Sequence, residues 1–480
     1  MTTIALYPNL IDGRTIDSAD HNRDVNPSNV SDVVGKFARA TVADLDQAVA
    51  AARQAFKTWS RTTPQERFDI LDRAGTEILA RKEELGRLLS REQGKPLADG
   101  IGEAARAGYI FKFFAGEAVR LTGEKGESVR PGIDVEVTRE PIGVIAAITP
   151  WNFPLAIPAW KIAPALAYGN CVVFKPAELV PASPWTLVDI VQRAGLPKGV
   201  LNLVMGPGAK LGAALASSPG IDAVSFTGSR DVGPGVAMAA VKAGARVQLE
   251  MGGKNPLIVL DDADLPTAVS VAVNGAFFQA GQRCTASSRL IVTQGIHDRF
   301  VAAVVERMKK LVVDDALKPG TEIGPVVDDR QLQKNLEYVD VGKSEGAQLV
   351  WGGDRLKRDT DGYYMAPAIF SDTTSEMRIN QEEIFGPVAA VIRVRDYDEA
   401  LSVANATPFG LSGGIVTTSL KHARDYRRNA ETGLVMVNLP TAGLDYHVPF
   451  GGRKHSSYGP REQGEYAKDF YTIVKTAYIG

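Results

Sequence analysis

Ala223-Val224-Ser225-Phe226-Thr227-Gly228-Ser229-Arg230-Asp231-Val232-Gly233 is an apolar run that stops at Thr-Gly-Ser and gives way to a helical pattern. A short apolar run bounded by a glycine turn reads as a buried strand. The start of the following helix offers backbone N–H donors, a glycine and a hydroxyl to a phosphate group. Outward from this stretch the texture repeats. Apolar runs stand at Ile142–Ile148, Val172–Phe174, Leu201–Val204 and Leu257–Leu260. Their separations leave room for crossover helices between parallel strands, and Trp185–Ala194 and Val236–Ala243 fit two of them. The fold class is α/β.

A second alternating block follows: Arg289–Val292, the helix Asp298–Val312, Val388–Val394, the helix Asp398–Asn405, Gly413–Val416 and Leu434–Val437. The acidic turn Asp261–Asp264 reads as the joint between the blocks. The chain before residue 120 reads as helical. Thr41 is a candidate N-cap for a helix over Ala43–Trp59, and Pro64–Glu92 carries apolar residues at helical intervals. Glu124–Glu140 and Tyr471–Tyr478 fit neither block and alternate like strands that need a sheet to join.

Composition removes several classes of function. The 480 residues carry 54 Lys plus Arg against 56 Asp plus Glu, a net charge of −2, so no basic footprint points to nucleic acid or an anionic membrane. The charge-free stretch Pro141–Trp160 is long enough to span a bilayer, but four prolines make a strand and loop the better reading. Met1–Gly13 lacks a basic segment followed by an apolar core, so no signal peptide is expected. Two cysteines are too few for a disulfide framework, and a reducing, cytoplasmic setting is expected.

Cys284 lies in Gly281-Gln282-Arg283-Cys284-Thr285, where a neighbouring cation favours thiolate, whereas Cys171 precedes the apolar Val172-Val173-Phe174. From context alone Cys284 is a candidate nucleophile, and a structural thiol is the commoner case. No histidine forms an obvious pair with it, and no metal-ligand spacing occurs. Glu250 ends the run Val247–Leu249 before Met251-Gly252-Gly253, a position where α/β folds gather ligands. Gly206-Pro207-Gly208 with Gly212 only approaches a dinucleotide glycine fingerprint. Lys175 and Glu178, three apart after a strand, could grip a ribose diol.

Thr149-Pro150-Trp151-Asn152-Phe153-Pro154, Phe174-Lys175-Pro176-Ala177-Glu178 and Phe226-Thr227-Gly228-Ser229 stand in that order along the chain. Leu249-Glu250-Met251-Gly252-Gly253, Gly281-Gln282-Arg283-Cys284, Glu382-Glu383-Ile384-Phe385-Gly386-Pro387 and Pro449-Phe450-Gly451-Gly452 follow. In content and order the series resembles the aldehyde dehydrogenase superfamily over nearly the whole chain. The resemblance implies a Rossmann-type cofactor domain (1–122 and 141–252), an α/β catalytic domain (253–455) and a small β oligomerisation element (123–140 and 468–480). It implies a homodimer or homotetramer.

By the same resemblance Cys284 is the nucleophile, Glu250 the activator of the hydrolytic water, Asn152 an oxyanion donor and Lys161 an electrostatic tuner. NAD is the expected cofactor, with NADP possible. Lys175 and Glu178 would hold its adenosine ribose, Gly228 and Ser229 its pyrophosphate, and Glu383 with Phe385 its nicotinamide end, beside Thr149, Pro150 and Trp151. The tail Ser456-Ser457-Tyr458-Gly459-Pro460-Arg461-Glu462 is one residue longer than the family pattern, which leaves Glu462 without an assigned role.

The strings Gly281–Arg289 and Asn438–Phe450 resemble a narrower branch, bacterial α-ketoglutarate semialdehyde (2,5-dioxopentanoate) dehydrogenases. The expected substrate is therefore a small aldehyde with a distal carboxylate. Trp160, Phe278 and Phe450 would pack its chain, and Arg283 or Arg289 is the nearest cation in sequence for its anion. Trp160 and Phe278 also leave open a neutral or aromatic aldehyde, and they stand where succinate-semialdehyde enzymes commonly place arginines. A catalytically silent structural member and a phosphorylating or acyl-CoA-forming enzyme are the rival classes.

Overall fold

Strands and helices alternate from Val144 onward, and the strands collect into two large sheets. The structure is a computed structural model and describes residues 4–480. The first sheet has eight strands, in the order Ser457–Tyr458, Arg246–Glu250, Ala223–Thr227, Val144–Ile148, Cys171–Lys175, Leu201–Leu203, Asn9–Ile11 and Arg14–Ile16. The strands from Arg246–Glu250 to Leu201–Leu203 run parallel, and the outer ones are antiparallel. From Val144–Ile148 the chain winds toward one edge, then crosses back to lay Ala223–Thr227 and Arg246–Glu250 on the other side. A crevice opens at the strand ends where the winding reverses. Val144–Ile148 and Cys171–Lys175 are buried along their whole length, as covered parallel strands must be.

The second sheet has seven strands: Gln348–Trp351, Ala368–Thr373, Val388–Val394, Ser287–Thr293, Asn255–Val259, Ser412–Val416 and Leu434–Val437. All are parallel except the first. The apolar core around the first sheet runs from Leu10 to Met251 and recruits Ala467, Phe470 and Tyr471 from the tail. The other large core begins at Leu257. The joint thus falls at Met251–Lys254, and the sequence-based joint at Asp261–Asp264 is incorrect. Asn255–Val259 pairs inside the second sheet, and Asp264 caps the helix Leu265–Phe277 by accepting the Thr267 N–H at 3.0 Å.

The helical reading holds for Val42–Trp59, Pro64–Ala80, Lys82–Gln93 and Leu97–Arg120. Thr41 caps the first of these, and Asp44 closes a capping box. The single pattern over Pro64–Glu92 is two helices that break at Arg81, whose guanidinium bridges Glu77 and Glu84 across the break. The described residues before 40 are not helical: five strands lie between Leu6 and Ala38. His21–Asn26 contains one aliphatic residue, Val25, and its form comes from the ladder with Asn29–Ala38.

The strand-like orphans join each other. Asp134–Pro141 pairs along its length with Thr472–Ile479 and also with Glu124–Glu127. Ile473, Val474, Tyr478 and Ile479 are exposed on this small sheet. The stretch Pro141–Trp160 divides into the strand Val144–Ile148, a loop, and the start of the helix Ala156–Ala167. Among the described residues no helix is long and apolar enough to cross a membrane.

Candidate active site

Thr149, Pro150 and Trp151 leave one strand at the winding reversal, and Thr227, Gly228 and Ser229 leave its neighbour. With Lys175 and Glu178 they line one cleft of about 690 Å³. Pro150, Trp151, Gly228 and Ser229 also line an adjoining chamber of about 180 Å³ that holds Asn152, Cys284, Glu383 and Phe385. The residues singled out for a cofactor and the candidate nucleophile therefore lie along one path. The hydroxyls of Thr149 and Thr227 are buried on the cleft wall with no partner among the described residues. Buried hydroxyls seldom stay unsatisfied, so this wall suits an elongated polar ligand such as a dinucleotide. Lys175 Nζ donates to Pro176 O at 2.7 Å, and burial pulls its pKa down to about 8 against the pull of Glu178.

At the inner end Trp151 meets Phe385 edge-on, ring centres 5.4 Å apart. Glu383 accepts the Gly253 N–H at 3.0 Å, and burial raises its pKa against the charges of Lys334 and Lys254. A Cβ on Gly252 would stand 2.1 Å from the Glu383 carboxylate oxygens, so only glycine admits that side chain here.

Cys284 sits between the turn Phe278–Gly281 and the strand Ser287–Thr293. Asn255 Nδ2 donates to Cys284 O at 2.7 Å and Ala286 O at 3.0 Å, and Thr441 Oγ1 donates to Thr285 O at 2.6 Å. Gly281 has φ +66°, and a Cβ there would lie 2.1 Å from Gly386 O. The thiol is half-buried. Burial first, then the charges of Glu383 and Glu250, push it up to about 12, while nearby backbone N–H groups oppose the shift. Cys171 is fully buried within its strand and also pushed up to about 12, by burial alone, as an inert thiol should be.

Asn152 is buried, and its amide donates to Gln282 O at 3.1 Å. Its loop is held by a pair that sequence reading missed. Lys95 Nζ donates to Asn152 O at 2.8 Å and to Glu103 at 2.5 Å, while Glu103 accepts the N–H groups of Leu155 and Ala156 at 2.9 and 3.1 Å. The signal was Gly94-Lys95-Pro96 before a helix with one buried acid on an Ala- and Gly-rich face.

Glu250 is buried at the end of its strand and accepts the Ser457 hydroxyl at 2.5 Å. Burial raises its pKa well above the carboxylate range, the charge of Glu462 adds to the rise, and Ser457, Lys161 and Arg461 oppose it. Lys161 does not lie against the nucleophile. It is fully buried, donates to Ser225 Oγ at 2.8 Å and forms an ion pair with Glu462. Glu462 thus gains a partner that the family pattern could not assign, because the antiparallel strand Ser457–Tyr458 docks beside Glu250 and carries the longer tail back into the first core.

Trp160 and Phe450 are buried and stack at 5.4 Å and 29°, while Phe278 packs against the second core. The arginines expected to meet an anion are committed elsewhere. Arg283 donates to Asn274 O and Gly275 O, carbonyls in the last turn of the helix Leu265–Phe277. A guanidinium there satisfies groups that helix geometry leaves open. Arg289 donates to Val403 O at 2.7 Å. The cation beside Cys284 is there to fix its loop, a correction to its proposed substrate role.

The chain belongs to the aldehyde dehydrogenase family, whose profile matches residues 15–477. It is an oxidoreductase of that class. It is 44% identical over 98% of both chains to alpha-ketoglutaric semialdehyde dehydrogenase of Bacillus subtilis. It is 45% identical to alpha-ketoglutarate semialdehyde dehydrogenase of Haloferax volcanii, over 97% of this chain and 96% of the other. It is 41% identical over 99% of both chains to 2,5-dioxopentanoate dehydrogenase of Saccharolobus solfataricus. In structure it is similar to the NAD+ complex of Staphylococcus aureus betaine aldehyde dehydrogenase, with TM-score 0.96, 35% identity, and 98% and 94% of the two chains covered.

Gly281→Ala should cost about 2 kcal/mol or more, from the positive φ and the approach to Gly386 O. The urea midpoint reads this, and a midpoint equal to the parent's would show that the loop yields freely.

Proposed function

We propose that the protein oxidises α-ketoglutarate semialdehyde (2,5-dioxopentanoate) to 2-oxoglutarate with NAD, through a Cys284 thioester that water cleaves. The observation that carries the reaction class is the single path from the Lys175–Glu178 cleft to Cys284, with the charge of Glu250 acting on the thiol. The substrate rests on the full-length similarity to relatives named for that aldehyde. Cys284, Glu250 and Asn152 together favour this over a silent structural member, and a water activator disfavours acyl transfer to coenzyme A or phosphate.

Cys284 Sγ attacks the aldehyde carbon. A thiol held up to about 12 is protonated at neutral pH, so its proton must leave first. That proton passes to solvent through the chamber in which the thiol is half-buried, and Glu250, whose raised carboxyl makes it a better base than an ordinary carboxylate, is kept for the hydrolytic water. The Asn152 amide and the Cys284 N–H donate to the oxyanion, and one such donor is typically worth about 3 kcal/mol. When bound, NAD supplies the acceptor for the hydride that leaves this carbon. Glu250 then takes a proton from the water that cleaves the thioester. Lys161 is a positioning residue that holds Glu462. Lys175 and Glu178 bind the adenosine ribose, Gly228 and Ser229 the pyrophosphate, and Glu383 and Phe385 the nicotinamide end.

The Glu178 charge repels a 2′-phosphate and Lys175 partly offsets it, so NAD is preferred and NADP tolerated. Residues 1–122 and 141–252 form the NAD-binding domain, 253–455 the catalytic domain, and 123–140 with 468–480 the oligomerisation element. Exposed apolar residues on that small sheet support a homodimer or homotetramer. A reducing cytoplasm belongs to the same reading, since Cys284 must remain a thiol.

Cys284→Ala should abolish oxidation with cofactor binding retained, and Cys171→Ala should leave turnover unchanged. Glu250→Gln should give a burst of reduced cofactor followed by slow turnover. Stopped-flow absorbance separates these outcomes, and sustained turnover by Cys284→Ala refutes the thioester.

Glu250 acts as a base only when deprotonated, so kcat should rise with pH through a limb above the ordinary carboxylate range. Glu462→Gln removes a facing negative charge and should move that limb to lower pH. A limb that stays in place or moves upward removes Glu462 from this role.

For the substrate, kcat/KM should rank 2,5-dioxopentanoate above succinate semialdehyde and benzaldehyde, and NAD above NADP, without added coenzyme A or phosphate. A neutral aldehyde preferred by about tenfold, or 1.4 kcal/mol of transition-state binding, would overturn the substrate assignment.

A further inference from the structure

A small aldehyde with a carboxylate at its far end needs a cation away from the reacting carbon, or that carboxylate is desolvated unpaired. Arg283 and Arg289 are occupied by backbone carbonyls. A third arginine comes from the helix Leu97–Arg120. Glu103 on this helix holds the Asn152 loop, and Arg106, half-buried, stands one turn further along on the same side of the helix. Its guanidinium lies 5.7 Å from the centre of the Trp160 ring, and Trp160 stacks on Phe450.

Two donors meet here without an acceptor. Arg106 Nη2 donates to Gln463 Oε1 at 3.2 Å, which fixes the plane of the fork. Arg106 Nε and Gln463 Nε2 are both buried with no partner among the described residues; Arg283 Nε and Arg289 Nε share that state, but each of those guanidiniums already donates to two backbone carbonyls, whereas Arg106 has only Gln463. Glu103 and Asp445 act on Arg106 through their charge, but among the described residues neither forms an ion pair with it. A buried donor of a guanidinium left without an acceptor is costly, and the orphaned amide of Gln463 adds to that cost. A carboxylate accepting from the fork would relieve both.

We propose that Arg106 is the specificity-determining residue that binds the substrate's terminal carboxylate, with Trp160 and Phe450 flanking the chain that leads to Cys284. This rests on the aldehyde dehydrogenase reading above and explains how a pocket with Trp160 and Phe278 at its two expected arginine positions accepts an anion.

The test is kcat/KM for 2,5-dioxopentanoate and for pentanal in the parent, Arg106→Met and Arg106→Lys. Arg106→Met should lower the ratio of the two by about 30-fold, mostly through KM, as for loss of a charge-assisted hydrogen bond. Arg106→Lys should recover part of the loss. In the parent, the methyl ester of the substrate should fall behind the free acid by a comparable factor, a comparison that needs no variant to fold. An unchanged ratio in Arg106→Met, or an ester as good as the acid, overturns the proposal. A parent that prefers pentanal overturns the substrate reading itself, and the two failures are thereby distinguished.

Discussion

The reversal of winding in the first sheet is the constraint on which the site depends. Val144–Ile148 and Ala223–Thr227 are hydrogen-bonded neighbours, yet the chain leaves them for opposite halves of the sheet. Right-handed crossovers then put the following helices on opposite faces, and a crevice remains between the two strand ends. Three of the segments that line it continue buried strands: Thr149–Trp151 after one, Thr227–Ser229 after its neighbour, Lys175 at the end of a third, while the helix Gly233–Lys242 closes part of its wall. A rigid, fully buried strand fixes where its last residue points, so precision at the cleft comes from the core beneath it.

Charge buried behind the crevice has a different logic. Lys161 and Glu462 are both removed from water, and a buried ion pair recovers its desolvation only through good geometry and further hydrogen bonds. Ser225 extends the pair toward Gln248, yet Glu462 Oε2 remains without a partner among the described residues. The arrangement is therefore poor as a stabilising device. Its effect is electrostatic: a carboxylate held near Glu250 raises the affinity of Glu250 for a proton, and Lys161 limits how far. The protein gives up stability at this point and obtains a buried carboxyl with a raised affinity for a proton.

The parts legible in the sequence were those in which local pattern and tertiary environment agree. Val388–Val394 and Ala223–Thr227 are mostly apolar and rich in β-branched residues, and they become buried strands as that pattern predicts. Thr41 signals its helix because the cap is a local hydrogen bond. The strands before Ala38 were missed because their polar residues become strand only by pairing. The same distinction separates the site residues. Cys284, Glu250 and Asn152 stand in motifs that carry their own context. Glu103, Lys95 and Glu462 acquire meaning only when a helix or tail distant in sequence reaches the crevice. Arg283 misled because adjacency in sequence says nothing of where a long side chain ends.

The arginines around Cys284 show how hydrogen-bond capacity sorts structural from ligand-binding cations. Each guanidinium has five N–H donors, and burial obliges the protein to find acceptors for them. Arg283 and Arg289 find carbonyls at helix ends, which helices provide wherever they stop. Such a cation holds the fold together through its outer nitrogens, and only its Nε is buried without a partner among the described residues. Arg106 lies in the middle of a helix, where the carbonyls are already bonded along the axis, so its own helix cannot supply an acceptor. It is left with one neutral amide oxygen. Glu103 and Asp445 act on this charge without reaching it, so a carboxylate that arrives beside the aromatic pair, as proposed for the substrate, would complete its fork.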